Sequence, residues 1–283
     1  MGRFDGKVAV VTGSTQGVGE ALLVSMAAEG LSGAVVTGRD VERGEAVRAR
    51  LETARCRAVF VQADLGNPDE IDRIVSTAAT QFGRVDHLAN CGAFTARGDI
   101  WDTSTELFDK MMAVNVRAPF RLIQRVAELA RDNQLPASVV NVGSVTGYGG
   151  PDFITAYSIS KGALMTMTRT VAYQLMRHHV RVVTVNPGWM DTPGEDATQR
   201  RFHGAGDDWL ELAEAGRPFG RLIKIDELVR TLSFVLSDDA GLMTGTIIDY
   251  DQSVQGAGDA PMAGRLLKVD GGEGERRARS ANK

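Results

Sequence analysis

The sequence predicts an α/β fold: a doubly wound, seven-stranded parallel sheet with helices on both faces. Two observations carry this. Along residues 1–250, short β-branched runs alternate with longer stretches of helical period, the pattern of a parallel sheet whose crossovers are helices. A glycine-rich segment falls directly between the first run and the first helical stretch. An open α/β sheet opens its ligand crevice there, beyond the carboxyl ends of its strands.

The predicted strands are 8–11 (VAVV), 34–37 (AVVT), 58–61 (AVFV), 85–89 (VDHLA), 138–142 (SVVNV), 180–185 (VRVVTV) and 246–248 (TII). Each is too short for a buried helix and is followed by turn-forming residues. Helices are predicted over 17–30, 41–54, 67–82, 104–132, 155–178 and 225–238. No linker divides residues 1–250, and one domain is expected over 1–258. Within it the polar stretch 189–220 reads as a lid or substrate wall. Residues 259–283 form a carboxyl-terminal extension, and 270–283 (DGGEGERRARSANK) lacks the apolar residues to fold. There are no internal repeats.

Bulk properties exclude several functions. The 283 residues carry a formal charge of −4, which gives no electrostatic case for nucleic acid or an anionic membrane. Two cysteines, Cys56 and Cys91, favour a reducing, cytoplasmic setting over a disulfide framework. The apolar run near the amino terminus is too short for a signal peptide or membrane span, and Gly6 stands where a myristoylation signal needs Ser or Thr. His87, His178, His179 and His203 have no metal-ligand spacing with the cysteines, so no metal site is expected.

The first strand runs into Thr12-Gly13-Ser14-Thr15-Gln16-Gly17-Val18-Gly19. Glycines there permit close backbone approach, and the helix that follows offers free N–H groups to a pyrophosphate. A second constellation lies in "GSVTGYGGPDFITAYSISKGALMTM". Tyr157 and Lys161 are four apart on a predicted helix, hence on one face. A free tyrosine has a pKa of about 10, and a neighbouring ammonium is expected to lower it by about two to three units. That would make Tyr157 a usable general acid/base. Ser144, just past the strand SVVNV, can bond the reacting oxygen. In "MMAVNVRAPF", Pro119 has no N–H to give the carbonyl of Asn115, so that acceptor is freed inside a helix.

Thr12-Gly13…Gly17-x-Gly19 together with Tyr157-x-x-x-Lys161 resembles the short-chain dehydrogenase/reductase family in its compact single-domain branch, over about residues 5–251. The resemblance implies a Rossmann-like fold, a nicotinamide dinucleotide, and hydride transfer between it and an alcohol or carbonyl carbon. It implies a catalytic set of Asn115, Ser144, Tyr157 and Lys161, with a water on the Asn115 carbonyl linking Lys161 to solvent. Gly13, Ser14, Thr15, Gly17, Val18 and Gly19 would cradle the pyrophosphate. Asp64 and Leu65 in "QADL" would meet adenine, although Asp64 also suits a helix cap. Asn90 in "LANCGA" would line the cofactor, with Cys91-Gly92-Ala93 departing from the usual Asn-Ala-Gly. Pro187, Gly188, Met190 and Thr192 in "VNPGWMDTP" would contact the nicotinamide, as Tyr157 and Lys161 would its ribose. The chain also departs at Asp251-Gln252-Ser253, where Asp-Gly-Gly is usual.

Gly38 occupies the strand end where an acidic side chain would bond the ribose diol of NAD. Arg39 follows and can fork onto a 2′-phosphate, which favours NADP(H) over NAD(H). Shifting the register by one residue brings Asp40 there instead. The substrate is expected to be a small molecule, with Arg200, Arg201, His203, Asp207 and Asp208 in the lid suggesting a sugar, polyol or hydroxy-acyl compound. Trp189, Phe94, Tyr148, Phe153 and Trp209 are candidate pocket walls. Relatives commonly form homo-oligomers, dimers or tetramers, through the fourth and fifth helices. A sugar-nucleotide epimerase or dehydratase and a non-catalytic NADP(H)-sensing protein stand as alternatives.

Overall fold

The computed structural model describes residues 2–255, of which those up to Asp251 belong to one compact unit. The predicted extension, 259–283, lies outside the described residues.

Seven strands form one parallel sheet: β1 (Val8–Thr12), β2 (Gly33–Gly38), β3 (Arg57–Gln62), β4 (His87–Asn90), β5 (Ala137–Val142), β6 (Val180–Pro187) and β7 (Ile247–Tyr250). Their order is β3-β2-β1-β4-β5-β6-β7, so the chain winds outward from β1 in one direction and then from β4 in the other. The reversal between β1 and β4 makes the crevice at their carboxyl ends the topological switch point. In register, Thr12 faces Asn90 at that edge. Strand residues are apolar on both faces because helices cover both, as in Val8–Val11 and Val182–Val185.

Helices α1 (Gly17–Ala28), α2 (Val41–Thr53) and α3 (Pro68–Phe82) connect the first strands. The segment predicted as one helix over 104–132 is α4 (Thr105–Met112) and α5 (Ala118–Asn133), joined by a π-helical turn at Ala113–Arg117. Pro119 is the second residue of α5, two positions past that turn. A proline that cannot donate to the preceding carbonyls lets the helix widen there. α6 (Thr155–Leu175) follows β5, and Val171 and Ala172 on it pack into the core.

The stretch 189–220 contains two helices, α7 (Pro193–His203) and α8 (Trp209–Ala215), before α9 (Ile225–Leu236). α7 starts with a Thr192 N-cap and a proline in its first turn, and it ends in Arg200, Arg201 and His203, which suit the helix dipole. It buries no residue, which is why it lacks a helical apolar period. Among the described residues no helix is long and apolar enough to cross a membrane, and no cluster of metal-ligating side chains occurs.

Candidate active site

A cleft of about 680 Å³ opens at the carboxyl ends of β1, β2 and β4. Its floor is the β1–α1 loop. Gly13 takes a left-handed φ of 62°, and a side chain there would collide with the Gly92 backbone. The β1 and β4 loops therefore approach so closely that only glycine fits. Gln16 precedes α1, and no side chain caps that helix start. Its first-turn amides thus face the cleft as an anion site. An uncapped helix start beside a long cleft fits a dinucleotide's pyrophosphate.

The far wall is Arg39, Asp40 and Arg43, with Asp64 and Leu65 opposite. Arg39 is exposed and forms no ion pair among the described residues. Asp40 N-caps α2 by accepting the Arg43 amide at 3.0 Å, and its other oxygen takes Arg43 Nε at 2.8 Å. The alternative register at Asp40 is thus occupied by capping. Arg43 also donates to Gln16 Oε1, which holds its guanidinium across the cleft. Asp64 Oδ1 accepts the Gly66 amide at 2.8 Å and lines the cleft at the same time.

The second constellation lies at the end of β5. Lys161 is buried, and its Nζ donates to the carbonyl of Val142 at 2.8 Å, 5.5 Å from the centre of the Tyr157 ring. The Ser144 amide donates to Asn186 Oδ1 at 3.1 Å, and Asn186 Nδ2 donates to Asp249 Oδ1 at 3.0 Å. The 3₁₀ turn Val145–Tyr148 packs directly on α6, since a Cβ on Gly147 would meet the backbone of Lys161 and Gly162. That contact fixes the turn that Ser144 caps, whose hydroxyl bonds Thr146 Oγ1 at 2.9 Å and opposes the rise of the Tyr157 phenol.

Burial pushes the Tyr157 phenol up to about 12, with the Ser144 hydrogen bond the largest opposing influence. Glu195 pushes it further up and Arg97 pulls it down. Burial pushes the Lys161 ammonium down to about 8, and Cys91, on the cleft wall, opposes this. The expected lowering of Tyr157 by Lys161 is thus reversed. Loss of water around the phenolate dominates, and the Lys161 ammonium is directed at the Val142 carbonyl.

Asn115 sits in the π turn, and its buried side chain clamps the strand-end loop. Its Oδ1 accepts the Phe94 amide at 2.7 Å; its Nδ2 reaches the Phe94 carbonyl at 2.8 Å and Ser160 Oγ at 3.0 Å.

Comparison with known proteins agrees with this geometry. A family model described as enoyl-(acyl carrier protein) reductase matches residues 13–254. An uncharacterized oxidoreductase of Thermotoga maritima is 33% identical over 250 residues, 88% of this chain and 97% of that protein. The short-chain reductase protein NovJ of Streptomyces niveus is 30% identical, covering 86% and 92%. The L-sorbose reductase of Gluconobacter frateurii, solved with NADPH and L-sorbose, superposes with a TM-score of 0.85 at 26% identity, covering 91% of this chain and all of that one.

The chain belongs to the short-chain dehydrogenase/reductase family.

It is an NAD(P)-dependent oxidoreductase with the family's Rossmann-like fold. Within this dehydrogenase/reductase, the predicted residues Gly13, Thr15, Gly17, Val18, Gly19, Arg39, Asp64, Leu65 and Thr192 line the cleft. Seven others do not line the cleft. Ser14 is buried, its hydroxyl donating to the Val11 carbonyl at 2.6 Å and accepting the Thr37 amide at 3.0 Å, and its own amide bonds Thr37 O. With its hydroxyl and amide so used, it braces β1 against β2. Asn90 donates to Asn141 Oδ1 at 2.8 Å, inside a buried chain that continues through Thr168 to Thr184. Pro187 ends β6, Gly188 donates to the Tyr250 carbonyl at 2.9 Å, and Met190 bridges to Ile223 and packs on the core. Lys161, whose charge acts on Cys91 of the cleft wall, sits 5.5 Å from the centre of the Tyr157 ring.

Three charged groups escaped the sequence reading. Arg43 was signalled only by its place three residues after a capping Asp. Glu195 and Arg97 gave no signal, because neither belongs to a motif and only the fold brings them to Tyr157. Of the lid charges thought to suit a hydroxylated substrate, Arg200 is instead paired with Asp196 and Asp207.

Proposed function

We propose that this enzyme is an NADP(H)-preferring carbonyl reductase or alcohol dehydrogenase that uses Tyr157 as the proton-transfer group. The observation that carries the reading is Tyr157 with the Lys161 ammonium 5.5 Å from its ring centre, its phenol kept protonated by burial, in a chain whose cleft suits a dinucleotide. A protonated phenol is equipped to give a proton to an oxygen that is gaining negative charge, which favours carbonyl reduction as the working direction.

The bound nicotinamide supplies the hydride acceptor or donor. The chain's own residues do the rest. The β1–α1 loop and the start of α1 hold the pyrophosphate. Ser144, fixed through Asn186, bonds the substrate oxygen and orients it toward Tyr157. Lys161 supplies positive charge behind the phenol. The Val142 carbonyl fixes the position of that charge. Asn115 keeps the β4 loop in place, and its backbone, in the π turn before Pro119, can carry the water that reaches Lys161.

NADP(H) preference rests on Arg39 and Arg43, two guanidinium groups on the wall where an adenosine ribose would lie, with no carboxylate left free there. Arg–phosphate pairs are strong, often bidentate contacts. The comparison with an NADPH-bound L-sorbose reductase supports a ketose or related polyol as substrate. Exposed Phe120, Ile159 and Tyr173 on α5 and α6 support assembly into a homo-oligomer.

The test is nicotinamide absorbance with NADPH and NADH across ketoses, simple ketones and β-ketoacyl thioesters. Turnover of a subset with NADPH favoured is the expected result. Tight cofactor binding without turnover of any carbonyl or alcohol would replace this reading with that of a cofactor-sensing protein.

A further inference from the structure

Ser144 caps the 3₁₀ turn Val145–Tyr148, and its hydroxyl is fixed within that turn. Its Oγ accepts the Thr146 amide at 3.2 Å and shares a hydrogen bond with Thr146 Oγ1 at 2.9 Å. The place of this hydroxyl therefore follows the place of the turn. Gly147 packs the turn onto α6 from one side. That packing sets a closest approach, and hydrogen bonds on the other side orient the turn.

Those bonds converge on a single carboxylate oxygen. Asp249 lies on β7, the edge strand, in register with Asn186 of β6. Its Oδ1 accepts Asn186 Nδ2 at 3.0 Å and the Tyr148 hydroxyl at 3.2 Å. Asn186 Oδ1 in turn accepts the Ser144 amide at 3.1 Å. Asp249 thus reaches both ends of the turn, Tyr148 directly and Ser144 through one carboxamide.

The orientation of that carboxamide depends on Asp249. Asn186 is fully buried, and the other partner of its Nδ2 is the Met165 thioether at 3.2 Å, a weak acceptor. The carboxylate demands a donor beside it and so keeps Oδ1 turned to the Ser144 amide. A flipped carboxamide would set its NH₂ group against that amide, donor against donor. The end of β5 presses on the same group, because a side chain at Gly143 would collide with Asn186 Oδ1. Val142, one residue further back, holds Lys161 Nζ at 2.8 Å. One short segment therefore presents both the serine and the anchor of the lysine.

We propose that Asp249 is a positioning residue for the reduction, placing the Ser144 hydroxyl at the substrate oxygen by holding the Asn186 carboxamide in one orientation and tethering the Tyr148 end of the turn. This rests on the reductase reading above. Asp249 does not line the cleft, so it acts on the transfer step and not on cofactor binding. Tyr148, expected from the sequence to wall the pocket, is the outer tether of the turn.

The experiment measures NADPH affinity and single-turnover hydride transfer to a ketone of the panel above. It compares the wild type, Asp249→Asn, Asp249→Leu, Ser144→Ala and the double variant Ser144→Ala/Asp249→Leu. Melting temperature monitors folding, and Asp249→Ala replaces Asp249→Leu in both backgrounds if the leucine variant does not fold. Both bonds end on one oxygen, which an amide also offers, so Asp249→Asn should transfer hydride within about threefold of the wild-type rate. Asp249→Leu should be slower by about ten- to a hundredfold, the effect of a misplaced reacting group, with NADPH affinity unchanged. Ser144→Ala has no hydroxyl to place, so adding Asp249→Leu to it should cost less than about threefold more. An equal loss from Asp249→Leu with and without the Ser144 hydroxyl would make Asp249 a brace of the β6–β7 edge and overturn the proposal. So would a wild-type rate in Asp249→Leu, or Asp249→Asn as slow as Asp249→Leu, and in each of these cases the reductase reading survives. If the wild type binds NADPH but reduces no carbonyl, the reductase reading fails and this role of Asp249 falls with it.

Discussion

The side chain of Asn115 grips Phe94 at two points, accepting its amide at 2.7 Å and donating to its carbonyl at 2.8 Å. A helix residue thus fixes the backbone of the β4 loop, which forms one wall of the cofactor cleft. The bond to Ser160 Oγ ties that wall to α6, the helix of Tyr157 and Lys161. The cleft and the proton-transfer group are held in register through one carboxamide.

Removing that carboxamide leaves the Phe94 amide and carbonyl without their partner. Asn115→Leu is expected to destabilise the protein by about 1–3 kcal/mol for each buried group left unsatisfied. The lost register should also raise the KM for NADPH. Denaturant titration and initial-rate kinetics check both effects. Lowered stability with unchanged KM would confine Asn115 to a structural role.

On the cleft wall, Arg39→Ala and Arg43→Ala are each expected to weaken NADPH binding by about ten- to a hundredfold, the range for a lost charge-assisted pair, with little effect on NADH. Arg43→Ala also frees Asp40 from its ion pair and puts an unpaired carboxylate on that wall. The double variant should then favour NADH. Binding titrations with both cofactors decide the matter, and equal losses for both would remove these residues from 2′-phosphate recognition.

Lys161, pushed down to about 8, changes charge within the working range, whereas Tyr157, pushed up to about 12, stays protonated there. Carbonyl reduction should therefore decline as pH rises through about 8, where the ammonium loses its proton. A pH–rate profile of Lys161→Arg, whose charge persists, should lack that limb if the variant retains activity. The same burial affects stability. The unfolded chain holds its proton on this lysine up to a pKa near 10.5, higher than in the fold, so the buried charge opposes folding below about 8 and is progressively relieved between 8 and 10.5. Lys161→Met is expected to be inactive yet more stable at pH 7, by about 1–3 kcal/mol, with the advantage shrinking across that window. A less stable Lys161→Met would mean that the Val142 bond offsets the burial.

The sheet was legible because each strand has a short run of β-branched or other apolar residues that sits between turn residues. The β1–α1 loop was legible because glycines mark close backbone approach. α7 and α8 were not, since α7 buries nothing and gives no apolar period. Ser14 and Asn90 belong to cofactor motifs by position, but the Ser14 hydroxyl is used by Val11 and Thr37 and the Asn90 Nδ2 by Asn141, and a sequence does not show which partner wins. The shift of Tyr157 was read in the wrong direction because the i,i+4 spacing reveals the ammonium and not the loss of water around the phenol. Glu195, in the first turn of α7, and Arg97, in the loop after β4, belong to no sequence motif.

The most direct test is single-turnover reduction by Tyr157→Phe with NADPH and a ketone that the wild type reduces. Phenylalanine keeps the ring and removes only the proton donor. The account predicts NADPH binding within about twofold of wild type and a hydride-transfer rate lower by about 10²–10⁴, the usual contribution of general acid catalysis. A variant that binds NADPH and reduces the ketone at the wild-type rate would contradict the assignment of Tyr157 as the acid.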